Sequence, residues 1–393
     1  MLNLESTDQW GMYRVGDRAF LSKLEAVQYS RRINATVSWH YQEDEFAKHD
    51  WTQEPNESIW ELYSQRALHL REKYRYLMLM YSGGADSTNV LEAFDRNGIM
   101  VDEIYIAYNG DSNDRENLKY WNNLELYHEA IPRARKLQER WPNLKITVGR
   151  MDKAIVEHLE SSTGDNVYYG HNMRWNLIQT TRCGMLWTDR AEWIPNLPGD
   201  QSVGIILGKD KTPVNNRSGR YCVEFNDVML NPSFDPLPDN ITREYFYWSK
   251  DCVPLMIKQG HVIKKFFRQA DNNPNWFEQN KKWLTSGKHR RWLWYELPIA
   301  GRQTAVNNAC YNTLVYPYYD PNIFDIGKLI WQTKCQSTQR ILNQNLQAKD
   351  KFEQHIKTYA ELYGREWLYN VSGADPLQYG VKACYSKPWF LEK

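Results

Sequence analysis

Residues 76–90 read Tyr76-Leu77-Met78-Leu79-Met80-Tyr81-Ser82-Gly83-Gly84-Ala85-Asp86-Ser87-Thr88-Asn89-Val90. The run Tyr76–Tyr81 is short, continuous and apolar, without the alternation of a strand that keeps one wet face. It is read as a strand buried on both faces. Ser82-Gly83-Gly84 breaks it, and Asp86–Asn97 reads as a helix closed by Gly98. Strand, glycine turn and helix in that order make a place to meet an anion. Glycines let the backbone approach an oxygen with no Cβ in the way. The N–H groups of the new helix point at it, with roughly half a unit of positive charge behind them. Ser82, Ser87 and Thr88 add hydroxyl donors. A carboxylate at Asp86 would repel bare phosphate, so its presence implies Mg²⁺ between the two. The alternative is a plain glycine turn with an Asp or Ser cap. At average residue frequencies S-G-G-x-D-[ST] arises by accident in roughly one such chain in a thousand.

Outward from this stretch, strand and helix alternate. Val101–Tyr108 is a second strand and Lys145–Val148 a third, and Ser202–Leu207 is a fourth. Between them, residues 114–140 are helical in pattern with an interruption or restart at Pro132, residues 151–161 form another helix, and residues 172–182 are a further helix candidate. Alternation at these lengths predicts an α/β fold, a doubly wound parallel sheet with right-handed crossovers. Residues 1–75 are read as an N-terminal extension, with short strands in 18–42 and a helix over 57–74 capped by Asn56. Pro232, Pro236 and Pro238 mark a boundary near residue 235. The expected division is thus 1–75, a sheet domain over 76–235 that carries the glycine turn, and a mainly helical C-terminal region over 236–393.

Composition narrows the class. A chain of 393 residues is expected to form two or three structural units. A formal net charge of +1 gives no global field towards nucleic acid or membrane. No run of about 18 apolar residues occurs, so no transmembrane helix is indicated. Met1–Ser6 lacks a basic segment followed by an apolar one, so no secretory signal is read and the cytoplasm is the expected location. The six cysteines are scattered, which suggests free thiols and argues against a compact zinc or iron–sulfur site.

The stretch Tyr81-Ser82-Gly83-Gly84-Ala85-Asp86-Ser87-Thr88 resembles the signature of the PP-loop, or N-type, ATP pyrophosphatases, within the adenine nucleotide alpha hydrolase-like superfamily. It differs from a Walker A loop, which requires G-x-x-x-x-G-K-[ST], for no Lys occurs in the turn. The resemblance implies a HUP-like sheet domain and ATP cleaved between the α- and β-phosphates. It implies pyrophosphate held in the loop and AMP transferred to a substrate oxygen. It fixes the nucleotide, not the substrate. Residues 81–88 are then expected to hold ATP. Tyr108 and Gly208, at the ends of the second and fourth strands, join them as nucleotide-contact candidates. Asp86 is the expected Mg²⁺ ligand.

Within that family the chain looks most like an asparagine-synthetase-type ligase without glutaminase. Residue 2 is Leu2 and no cysteine precedes Cys183, which departs from the glutaminase pattern. Paired cysteines of sulfur-transferring members are absent, and Ala383-Cys384-Tyr385 fails to match the C-terminal motif of the PAPS reductases. Two other readings stay open: a PAPS-reductase-like or nucleic-acid-modifying enzyme, and a nucleotide-binding module without catalysis.

Gly208-Lys209-Asp210-Lys211 follows the fourth strand, at the edge where open α/β sheets bind ligands. Asp210 is a second candidate metal ligand. Lys209 and Lys211 are candidates to neutralise charge on departing pyrophosphate, with a solvated charged turn as the other reading. Lys387, in Tyr385–Phe390, is a candidate for folding back on the site, against a simple C-terminal tail. His171, Arg174 and Arg182 are candidate contacts for substrate anions or else a helix surface. The stretch 258–291 carries nine Lys and Arg with interleaved Phe and Trp. It is either a nucleic-acid surface or a solvated helical face over a packed core. A small-molecule substrate is the main expectation; the oligomeric state is not readable.

Overall fold

The computed structural model describes residues 11–20, 22–108, 126–150, 197–208, 211–227, 238–272, 314–318, 345–370 and 379–393. In chain order the elements are β1 (Met12–Val15), β2 (Arg18–Phe20), α1 (Lys23–Ile33), β3 (Val37–His40), α2 (Glu43–Phe46), α3 (Ile59–Lys73), β4 (Tyr76–Met80), α4 (Ala85–Asp95) and β5 (Glu103–Tyr108). A π-turn, Leu126–Ala130, leads into α5 (Ile131–Arg140), followed by β6 (Lys145–Arg150), β7 (Val203–Leu207), β8 (Val214–Arg217), β9 (Arg220–Val223) and β10 (Ile241–Tyr245). Then come α6 (Val253–Asn272), α7 (Leu346–Tyr363), β11 (Leu368–Asn370), β12 (Tyr379–Val381) and β13 (Trp389–Phe390).

The central sheet has five strands in the order β10-β7-β4-β5-β6, and every pairing in it is parallel. Leu77, Met78 and Leu79 of β4 are fully buried, as are all residues of β7. This is why both strands read as unbroken apolar runs. Gly204 lets a ring lie against β7: a Cβ there would sit 2.6 Å from the Tyr74 ring. The α/β expectation holds at this level. Renumbered along the chain the strand order is 3-2-1-4-5, so the order reverses at β4, between β5 and β7.

Several expectations need correction. The sheet does not stop near residue 235: Pro238 leads straight into β10, its carbonyl accepting from Ile241 N–H at 2.8 Å, and β10 becomes the edge strand beside β7. The region beyond 235 also carries β11, β12 and β13 besides its helices. The cap of α3 is Ser58, whose hydroxyl accepts from Glu61 N–H while Glu61 accepts from Ser58 N–H, a reciprocal capping box that Asn56 does not make. The helix expected over 151–161 and the candidate over 172–182 lie outside the described residues.

The N-terminal residues form a small antiparallel sheet, β2-β1-β3, and β13-β9-β8 forms another. Both pack into one hydrophobic cluster with the central sheet. A buried charge joins them. Asp227 Oδ2 takes the Lys23 ammonium at 2.6 Å and the Tyr13 hydroxyl at 2.9 Å, and its Oδ1 accepts from Cys384 N–H at 3.0 Å. Lys23 also donates to the Lys382 carbonyl. Both side chains of the pair are fully buried. A second strut holds α3 to β10, where Glu244 receives Arg66, Lys73 and the Tyr74 hydroxyl. Burial works to raise the Glu244 carboxyl, but Arg66 and Lys73 hold it below the usual range.

Candidate functional site

The turn after β4 needs its glycine. Gly83 has φ +83°, a left-handed conformation that L side chains rarely adopt. A Cβ there would also lie 2.9 Å from Ala130 N, at the end of the π-turn. Gly84 then caps α4 without any side-chain cap, so the first-turn N–H groups of the helix have no partner within it. Gly208, just past β7, makes the second close approach. A Cβ at Gly208 would sit 2.9 Å from the Ser87 Cα. The ends of β4 and β7 and the start of α4 thus meet at the reversal of strand order, where open parallel sheets place ligands.

The hydroxyls of the loop are engaged with one another by long bonds. Ser82 and Ser87 oxygens lie 3.1 Å apart, and the N–H groups of Ser82 and Gly84 reach these oxygens only at 3.3 Å. Bonds at the weak end of the usual range are readily exchanged for a phosphate oxygen. Deeper in, the Tyr81 and Thr88 hydroxyls are 3.2 Å apart. Burial pushes the Tyr81 phenol up to about 12, against the pull of that hydrogen bond.

Asp86 is the charged centre. Lys211 reaches its Oδ1 at 3.2 Å, and the Tyr316 hydroxyl donates to the same oxygen. Among the described residues no hydrogen bond goes to Oδ2, and the side chain is 31% exposed. Tyr247 donates to the Asp86 carbonyl at 2.7 Å and accepts from Asn89 Nδ2 at 2.9 Å. Burial first, then the Asp86 charge, pushes the Tyr316 phenol well above its ordinary value. Burial, then Tyr63 and Asp86, does the same to Tyr247. Both phenols therefore remain protonated donors at neutral pH. A third tyrosine completes the floor: Tyr63 packs edge-on to Tyr247 at 5.9 Å and donates to the Val315 carbonyl at 3.0 Å. Gln259 of α6 ties this floor to the strand end, donating to Tyr63 and accepting from Thr212 N–H.

The sequence candidates are placed as follows. Residues 81–88 form the turn described above, with Gly208 packed on Ser87 and Lys211 on Asp86. Tyr108 ends β5, next to β4 in the sheet. Lys209, Asp210, His171, Arg174 and Arg182 lie outside the described residues. Lys387 is exposed, its ammonium 5.1 Å from the centre of the Trp389 ring on the β13 segment, and it is not among the described contacts of the loop. Of the basic stretch, only the α6 part is described, and its cations are engaged internally. Lys258 and Lys265 pair with Glu54, Lys264 donates to the Leu391 carbonyl, and Arg268 pairs with Glu392. Phe267 is buried, its ring stacked on Tyr221. Sequence reasoning missed Tyr247, Tyr316, Asn89 and Gln259. No protein-family model matches the chain, and no curated protein matches it. Among the described residues, no helix is long and apolar enough to cross a membrane.

Proposed function

We propose that this protein is an ATP-using enzyme of the PP-loop type, HUP-like in its sheet, that cleaves ATP to AMP and pyrophosphate while adenylating a substrate oxygen. An asparagine-synthetase-like ligase without glutaminase is the favoured form. One observation carries the reading: the Ser82–Thr88 turn sits at the reversal of strand order with a lysine and a carboxylate facing each other across it. The first-turn N–H groups of α4 and the Ser82 and Ser87 hydroxyls bind the β- and γ-phosphates. Lys211, largely buried, neutralises charge growing on the departing pyrophosphate, where a preorganised cation acts most strongly. The metal fits as well: Mg²⁺ uses one or two carboxylates with substrate phosphates rather than an all-protein cage, and Asp86 offers an open oxygen at the loop. Mg²⁺ held there by Asp86 would supply charge neutralisation for the phosphates.

The loop has no lysine of the Walker A kind, so nothing within it is placed to stabilise a γ-phosphoryl in flight. AMP and pyrophosphate are the expected products of a single turnover, resolved by ion-exchange chromatography with carboxylates, nucleosides and tRNA tried as acceptors. ADP with inorganic phosphate would overturn the reading. So would ATP that binds and stays intact with every acceptor, which would leave a nucleotide-binding module. The described part of 258–291 supports a small-molecule acceptor, because three of its four cations already pair with Glu54 or Glu392.

A further inference from the structure

We infer that Tyr316 is a positioning residue that, together with Lys211, fixes the Asp86 carboxylate so that its second oxygen is presented to a divalent cation. The inference rests on the nucleotide reading above and adds a residue 230 positions away from Asp86 in the chain.

Three observations carry it. First, the two donors converge on one oxygen. Tyr316 and Lys211 both reach Asp86 Oδ1, and the lysine ammonium is 5.3 Å from the centre of the Tyr316 ring. A carboxylate held at one oxygen by two donors cannot rotate freely, and its other oxygen takes no hydrogen bond from the described residues, on a side chain that is 31% exposed. Second, Tyr316 is itself held. The short segment 314–318 is pinned on both sides of it. The Val315 carbonyl accepts from Tyr63, and the Tyr318 ring packs edge-on to Trp60 at 4.8 Å with the Arg96 guanidinium 3.6 Å from its centre. Tyr316 is 2% exposed and its ring lies 5.7 Å from that of Tyr247. Third, the backbone of Asp86 is held as well, through the Tyr247 hydroxyl on its carbonyl. A hydroxyl that only filled space under α4 would have no reason to meet the one carboxylate in the phosphate turn. Groups that hydrogen-bond a metal-binding carboxylate set its orientation, and their loss typically lowers metal affinity about 10–100-fold.

The test is the Mg²⁺ dependence of ATP binding, read by tryptophan fluorescence at equilibrium with ATP in excess Mg²⁺ and again in EDTA. The wild type should bind ATP more tightly with Mg²⁺. Tyr316→Phe should lose about tenfold or more of that gain, as expected for an outer partner of a metal ligand, with ATP binding in EDTA unchanged. Asp86→Asn should lose the gain too, and adding Tyr316→Phe to it should cost nothing further, since both act through one carboxylate. Tyr247→Phe removes a hydroxyl that meets the Asp86 carbonyl and Asn89 rather than the carboxylate, and should keep most of the gain. Thermal unfolding of each variant reports the fold. If Tyr316→Phe folds and keeps the full Mg²⁺ gain, or weakens ATP equally in Mg²⁺ and in EDTA, the positioning role is overturned. If wild-type protein binds no ATP under either condition, the nucleotide reading falls and the inference with it.

Discussion

Asp227 and Asp86 are each held by one lysine and one tyrosine, yet they stand in opposite situations. Asp227 has Lys23 and Tyr13 on one oxygen and a backbone N–H on the other, and it is completely buried. Asp86 has Lys211 and Tyr316 on one oxygen, nothing described on the other, and an edge towards solvent. The same side chains thus make a saturated joint in one place and leave a carboxylate oxygen without a described partner in the other. What separates them is saturation. A buried carboxylate with both oxygens answered ties segments together: here β1, α1, the stretch after β9 and the C-terminal tail. A carboxylate with one oxygen in reserve, at a helix N-terminus and at the reversal of strand order, is positioned to take something that is not protein.

The comparison breaks most easily at its buried member. Lys23→Met leaves the Asp227 charge uncompensated in the interior. Breaking a buried pair by removing one partner costs about 3–5 kcal/mol. The expected result is a large fall in the urea midpoint, with nucleotide affinity of the folded fraction unchanged. A variant as stable as wild type would mean Asp227 is not the joint described.

At the open member the loss should appear in chemistry instead. Lys211→Ala removes the preorganised cation at the loop, and turnover should fall about a hundredfold or more, with ATP binding in EDTA and the urea midpoint only modestly moved. Single-turnover rates with unfolding curves on the same preparations separate the two effects. If Lys211→Ala instead costs stability on the scale of Lys23→Met while turnover survives, the two carboxylates are alike and the distinction fails.

The glycines of the turn sharpen the contrast between strain and steric fit. Gly98 and Gly83 both have positive φ, at +65° and +83°. A Cβ at Gly98 meets nothing within 4 Å, whereas one at Gly83 runs into the π-turn before α5. Gly98→Ala should cost roughly 1–2 kcal/mol, the left-handed penalty alone. Gly83→Ala should cost more and should also weaken ATP binding, because the turn itself must shift. Equal losses in thermal stability would show that the approach of Ala130 is not what requires the glycine.

How far these features were legible in the sequence follows from how local they are. The turn at 82–88 is written in consecutive residues, so its strand, glycines and helix could be read directly. Lys211 was reachable because it follows a recognisable apolar strand. The five-stranded sheet was not fully legible: β10 lies beyond a proline cluster that reads as a boundary, and its sequence, Ile241-Thr242-Arg243-Glu244-Tyr245, hides its burial because Arg66 and Lys73 answer Glu244 from α3. Tyr247 and Tyr316 carried no signal at all. In a chain with 26 tyrosines, no single one stands out, and their role comes from folding that brings them back 161 and 230 positions to Asp86. Ser58 and Asn56 are equally good caps by residue type, and only the reach of Glu61 decides between them.

Glu54 supplies the smallest test and an intermediate case between the two aspartates. It sits near the surface like Asp86, but both oxygens are taken, by Lys258 at 3.0 Å and Lys265 at 2.6 Å. On the saturation argument it should be structural, and weakly so, since Lys265 is 61% exposed and exposed pairs are worth about 0–1 kcal/mol. Burial works to raise its carboxyl, but the hydrogen bonds from Lys265 and Lys258 hold it below the usual carboxylate range. A depressed carboxyl stabilises the fold fully above its unfolded value, near 4.3 for glutamate, and loses that contribution as pH falls through the lower folded value. Glu54→Gln should therefore be less stable than wild type by about 1 kcal/mol or less at neutral pH, and the two urea curves should converge as pH falls through the lowered folded value. A gap that stays constant down to acid would show that Glu54 acts through shape rather than charge. A gap as large as that of Lys23→Met would show that partner count alone, without burial, makes a joint, and would remove the distinction drawn between Asp227 and Asp86.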